Sequence, residues 1–141
     1  MKHRLFLSVA VATTLGLVGC ATPFRAPPEV AQIKLERVDS PRVVVTQIWL
    51  EREAGLLFVK GNLVKRLEAD DTTPTYLAVT RYDSAGAVLR RTVEHFEPRQ
   101  LVRRAKRPGI GTYRVPLDPL PVGTARIEVR AHEAESNDVP L

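Results

Sequence analysis

Val43-Val44-Val45-Thr46-Gln47-Ile48-Trp49-Leu50-Glu51, Arg52-Glu53-Ala54-Gly55 and Leu56-Leu57-Phe58-Val59-Lys60-Gly61-Asn62-Leu63-Val64-Lys65 follow one another without interruption. The outer two runs are rich in β-branched and aromatic residues, the types that fit a pleated, half-buried surface. Period-two alternation sets Val44, Thr46, Ile48 and Leu50 on one face of the first run and Val45, Gln47 and Trp49 on the other. In the second run Leu57, Val59, Gly61 and Leu63 form the inward set. Between them, glycine in the fourth place of Arg52–Gly55 can take the left-handed conformation that closes a hairpin. The reading is therefore an antiparallel hairpin over residues 43–65.

The same signals extend in both directions. Toward the N-terminus, Ile33 and Leu35 alternate with Lys34 and Glu36, Val38 falls out of step as at a bulge or bend, and Ser40-Pro41 breaks the strand. Toward the C-terminus, residues 66–74 form a polar loop and Thr75 to Tyr82 the next strand. Asp83-Ser84-Ala85-Gly86 has the residue choice of a type I turn with a glycine bulge. Ala87 to Phe96 returns along that strand, with no readable register because Arg90 and Arg91 interrupt both faces. Gly111 to Leu117 puts Tyr113, Val115 and Leu117 on one side, and Leu120-Pro121-Val122-Gly123 turns the chain. In the last strand Ala125, Ile127, Val129 and Ala131 point inward and Arg126, Glu128, Arg130 and His132 outward. About seven short strands bounded by turn chemistry, with no helical pattern between them, predict an all-β antiparallel sandwich of immunoglobulin or fibronectin type III character over residues 30–132. A small open barrel is the rival. Trp49 stands where an immunoglobulin domain has its core tryptophan, but the flanking cysteines are missing, so fibronectin-like packing is the closer comparison. The polar residues 133–141, with Pro140, read as a frayed, flexible tail.

At the N-terminus, Lys2, His3 and Arg4 precede an apolar run from Leu5 to Gly19. That run is too short for a membrane span, which needs roughly 18 or more apolar residues, and Thr13, Thr14 and Gly16 weaken it further. It has the length and flanks of a signal peptide, residues 1–19. Its end, Leu17-Val18-Gly19-Cys20, resembles the lipobox of bacterial lipoproteins. That resemblance implies cleavage before Cys20, a diacylglyceryl thioether on its sulfur and usually an amide-linked acyl chain such as palmitate. Ala21 stands where an aspartate, in enterobacterial members of that family, favours inner-membrane retention, so the resemblance implies the outer membrane with the body facing the periplasm. The alternative is an ordinary secretory signal or a buried N-terminal helix. Residues 20–29 hold Pro23, Pro27 and Pro28 and read as an extended tether of about 3 Å per residue, unless Phe24 packs the segment on the domain edge. Cys20 is the one cysteine, so no intramolecular disulfide can form and the apolar core must hold the fold.

Val59-Lys60-Gly61-Asn62-Leu63, Tyr82-Asp83 with Gly86 and Val88-Leu89, Tyr113-Arg114-Val115, and Leu120-Pro121-Val122-Gly123 are together similar to small proteobacterial lipoproteins of uncharacterised function that carry an immunoglobulin-like domain. The similarity covers residues 43–132 and implies a fold and a location. It implies no catalytic residue.

Catalytic groups are sparse. Outside the signal the histidines are His95 and His132, and the serines Ser40, Ser84 and Ser136 lie in turn or tail settings without a Gly-x-Ser-x-Gly elbow. Glu94 and Glu97 flank His95, and Glu133 and Glu135 follow His132, but neither group has a recognised metal-ligand spacing, and both histidines read as solvated surface residues. No cofactor or metal is expected, nor enzymatic activity. A hydrolase using His95 or His132 is the remaining alternative. Arg99, Arg103, Arg104, Lys106 and Arg107, between Pro98 and Pro108, are a candidate anionic-surface binding patch, to which Arg90 and Arg91 would add in space. Its partners would be lipopolysaccharide phosphates, anionic phospholipid headgroups or peptidoglycan carboxylates; the bland reading is a solvated loop that keeps a sheet edge soluble. Nucleic acid is not expected in that compartment, and the stretch lacks interleaved aromatics. The expected function is thus a non-enzymatic outer-membrane lipoprotein, an interaction module binding another envelope component or envelope protein. A structural or assembly accessory of a larger envelope complex is the alternative.

Overall fold

A computed structural model describes residues 26–134. The signal segment, Cys20, most of the tether and the tail from Glu135 onward lie outside the described residues. The order is a 3-10 turn at Pro28–Val30, then β1 (Lys34–Val38), β2 (Val43–Glu53), β3 (Leu56–Lys65), β4 (Thr75–Tyr82), β5 (Val88–Glu94), β6 (Ile110–Pro116) and β7 (Arg126–Glu133). They form a four-stranded sheet in the order β1-β7-β4-β5 and a three-stranded sheet in the order β2-β3-β6. The inward side chains of both sheets meet in one apolar core, with Val59, Leu63, Leu77, Val79, Ile127 and Val129 all at 0% exposure. The chain is an all-β sandwich.

Its connectivity departs from the expected one in two respects. β1 pairs with β7 in parallel, Lys34 opposite Arg126 through Val38 opposite Arg130, while the other pairings are antiparallel. An immunoglobulin constant domain divides its strands as first-second-fifth-fourth and third-sixth-seventh. Here the second strand sits with the third and sixth, and the seventh lies between the first and fourth.

The 43–65 hairpin forms, but its faces are not those read from simple alternation. Val45 faces Leu63 and Gln47 faces Asn62, so Thr46 is an extra residue in a β-bulge. The bulge inverts the alternation before it, turning Val43 and Val45 into the core in place of Val44 and Thr46, while Ile48 and Leu50 keep their inward positions. Trp49 is half-buried on the outer face with its indole N–H donating to Glu51 at 3.1 Å, so it is not a core tryptophan. Glu53 pairs directly with Leu56, which makes the reversal a two-residue loop of Ala54 and Gly55, both left-handed at φ 47° and 82°.

Two features set the polarity of the molecule. Val30 is buried in the core and Glu29 pairs with Arg52 at 2.7 Å, so the chain is fixed to the sandwich beside the β2–β3 turn. The basic segment 98–108 lies at the opposite end, where the amide of Lys65 donates to the carbonyl of Gly109 at 2.9 Å. The ten residues of β3 separate the two ends by about 30 Å.

Candidate functional site

The basic segment is anchored before it is charged. Leu101 is fully buried, and Thr72, itself 0% exposed, accepts from the Leu101 amide at 2.8 Å and donates its hydroxyl to the Arg99 carbonyl at 2.8 Å. The Thr72 amide donates to the Gln100 side chain at 3.0 Å. Beyond this clamp the chain turns on Ala105, left-handed at φ 52°, and closes with the Arg107 amide donating to the Arg104 carbonyl at 2.9 Å. Arg103, Arg104, Lys106 and Arg107 are therefore exposed on a short finger with a fixed base.

Of the five cations, Arg99 stands apart from the other four. Arg104 and Arg107 border a groove of about 490 Å³ that also contains the exposed Val102 and Ile110. Arg103 lies beside Lys65, Arg66 and Leu67. Arg99 is turned away, its guanidinium donating to the Thr73 carbonyl at 3.1 Å, and it lines a depression of about 430 Å³ with His95, Glu94, Glu97 and Arg114. Arg91 is directed to the outer face of the four-stranded sheet, 3.4 Å from His132. Arg99 and Arg91 are thus separated from the finger, which keeps Arg103, Arg104, Lys106 and Arg107.

The pairing of charges separates the finger from the rest of the surface. Lys34, Arg42, Arg52, Lys60, Arg66, Arg114, Arg126 and Arg130 all form ion pairs with carboxylates. Among the described residues, Arg90, Arg91, Arg99, Arg103, Arg104, Lys106 and Arg107 form no ion pair with a carboxylate. Arg37, Lys65 and Arg81 also lack a carboxylate partner among the described residues but bond to backbone carbonyls, so the finger and β5 hold most of the unpaired cations.

His95 is exposed at the rim of the depression with Glu94, Glu97 and Arg99. His132 is half-buried rather than fully solvated. β7 is interior to its sheet, and Glu128 on the same face, between β1 and β4, is only 6% exposed; at His132 the β1 pairing has ended and the neighbour is Tyr76 of β4. The His132 ring stacks on Tyr76 at 5.5 Å. Burial, then Arg91 and Arg130, lower its pKa, opposed by Glu128. A histidine whose folded pKa is depressed takes up its proton more readily when unfolded, so acid favours unfolding through it. Stability should fall as pH drops below about 6.5, before the carboxylates of Glu36 and Glu53, held low by hydrogen bonds from Lys34, Arg126, Lys60 and Arg114, begin to protonate. His132→Gln should flatten the melting-temperature profile in that interval; an unaltered profile would remove His132 as its source.

Ser40 is a structural cap, its hydroxyl oxygen accepting from the Arg42 and Val43 amides at 3.1 Å. Ser84 sits in the turn held by Asp83, which accepts from the Ala85 and Ala87 amides at 2.9 and 2.8 Å. Ser136 lies outside the described residues. Among the described residues no three His, Cys, Asp or Glu side chains converge as a metal site.

One buried cation had no precedent in the strand pattern beyond its parity with Leu77 and Val79. Arg81 is 1% exposed and crosses from the four-stranded sheet to the other, donating to Thr92 Oγ1 at 2.5 Å, Pro116 O at 3.1 Å and Val79 O at 3.3 Å. Among the described residues its Nε has no hydrogen-bond partner, and burial followed by Arg90 lowers its pKa. Its bonds to Thr92 of β5 and Pro116 of β6 tie the two sheets together. No family model, curated protein or solved structure matches this chain.

Proposed function

We propose that this protein is a lipid-anchored, non-enzymatic interaction module of the outer membrane, facing the periplasm, whose sandwich holds the 103–107 finger against an anionic envelope polymer. The observation that carries the reading is the finger itself: four exposed cations without carboxylate partners among the described residues, on a turn fixed by the buried Leu101 and Thr72. Clustered, unneutralised charge raises the local concentration of an oppositely charged polymer and steers its approach. Polarity narrows the choice of polymer. An anchor at Cys20 enters the domain beside the β2–β3 turn, and the finger lies about 30 Å away at the other end. That arrangement favours carboxylates of the peptidoglycan, reached by pointing away from the membrane, over headgroups of the leaflet holding the lipid.

The test is cosedimentation of the mature protein in detergent with purified peptidoglycan and, separately, with anionic phospholipid vesicles. Binding to peptidoglycan should weaken steeply with added salt, because exposed charges more than about 10 Å apart are largely screened at 0.1 M. Reversing Arg103, Arg104, Lys106 and Arg107 to glutamate should abolish it while leaving the fold intact. Equal binding by the reversed variant would refute the role of the finger, and vesicle binding without peptidoglycan binding would refute the choice of polymer.

A further inference from the structure

We propose that the outer edge of β5 captures an extended acidic segment of a partner protein as an added strand. Two open sheets leave four edge strands, β1, β5, β2 and β6, each a row of backbone N–H and C=O groups available to another chain. Three of these are interrupted by other contacts. The β2 edge is broken by the bulge at Thr46, its Val45 amide donates to Asp39 at 2.9 Å, and the Thr46 carbonyl accepts from Arg37. Arg37 lies in β1 and Asp39 just beyond it, so the same contacts seam β1 to β2. On β6, Thr112 exchanges both backbone bonds with Glu97 at 2.8 and 2.9 Å, Pro116 has no N–H, and its carbonyl is taken by Arg81.

β5 has a bulge of its own at Leu89, since Arg81 faces Arg90 and Tyr82 faces Val88, but beyond it Arg90 to Glu94 run in register with β4 and their outer edge makes no such contacts among the described residues. It has seven residues, no proline and no buried side chain, and it pairs only with β4. Among the described residues no hydrogen bond from outside β4 reaches its backbone. Val88 and Val93 are 60% and 43% exposed and offer apolar contact to an added strand.

Charge selects the occupant. Arg90 and Arg91 are consecutive, so they project to opposite faces of the sheet, and neither has a carboxylate partner among the described residues. A strand laid beside them meets one arginine on each face, and opposite charges facing each other across a strand pair are stabilising while like charges are not. The complementary segment has two adjacent Asp or Glu residues flanked by β-branched residues. A second copy of this chain is disfavoured, because a two-fold pairing centred on β5 sets arginines against arginines. This surface is distinct from the finger and does not depend on the lipid anchor.

The full-length protein in detergent, screened against a display library of random segments about eight residues long, tests the proposal. Segments with adjacent acidic residues should be enriched, and slowed amide exchange on binding should map to residues 88–94. The double variant Arg90→Glu, Arg91→Glu should lose about tenfold or more in affinity for them and select adjacent basic residues instead. Reversal of the finger cations should leave this binding unchanged. Selection unaffected by the Arg90 and Arg91 reversal, no enrichment at all, or protection mapping outside β5 would each overturn the proposal. A concentration-dependent dimer with β5 amides protected would assign the edge to a second copy and overturn it equally.

Discussion

Replacing Gly61 with alanine is expected to destabilise the sandwich by about 3 kcal/mol or more, the upper range for overpacking a tightly packed site. A Cβ on Gly61 would lie 2.1 Å from the Gln47 carbonyl oxygen and 2.2 Å from the Tyr113 hydroxyl. Both neighbours are held in place. Tyr113, 4% exposed, lies across Gly61 so that its hydroxyl can donate to the Gln47 carbonyl at 2.8 Å. That carbonyl belongs to the bulge that lets β2 reverse its inward face, and a backbone atom there cannot retreat as a flexible side chain would. A methyl group on Gly61 therefore either displaces the tyrosine, costing its part-buried hydrogen bond to Gln47 at about 1 kcal/mol and its packing, or spreads β2 from β3. Urea unfolding midpoints of the mature protein measure the effect. In a Tyr113→Ala background the penalty of Gly61→Ala should shrink, since half of the obstruction is gone. An additive pair of penalties would show that the ring does not lie over Gly61.

The second large effect concerns location. Cys20→Ala should move the protein from the membrane fraction to the soluble fraction, with the far-UV circular dichroism of the domain unchanged. Lipidation contributes about 0.8 kcal/mol per buried CH₂, so losing every acyl chain removes far more than the finger can replace by charge alone. The domain should remain folded because its core begins at Val30. Washing the membranes at high salt before fractionation strips material held only through the finger and isolates the contribution of the lipid. A Cys20→Ala protein that stays with the washed membranes would end the anchoring reading, and with it the argument that the finger points away from the membrane.

Much of the architecture rests on local chemistry, and that part is readable from residue order alone. The strands at 56–65, 75–82 and 126–133 follow from period-two alternation of β-branched residues, and Asp83 with Gly86 marks a tight turn through bonds confined to five residues. The all-β class and the number of strands follow from the same interactions, as does the inward set of β3 and of Ile127, Val129 and Ala131. What tertiary structure alone decided depends on residues far apart in the chain. The parallel seat of β1 against β7 joins segments some ninety positions apart, as the Glu36 to Arg126 ion pair shows at 2.5 Å. The bulge at Thr46 is one extra residue, invisible until β3 supplies the register, yet it inverts which valines enter the core. Likewise Arg81 is an outlying charge in sequence and a buried tie between the sheets in space, because its neighbours Thr92 and Pro116 come from β5 and β6. The cations followed the same rule: Arg99 is turned away from the finger that its sequence neighbours form, while Arg90 and Arg91 acquire their meaning from lying on a sheet edge. Alternation and turn propensity act over a few residues and determine elements; burial, register and charge pairing are sums over distant partners and exist only once the sheets have met.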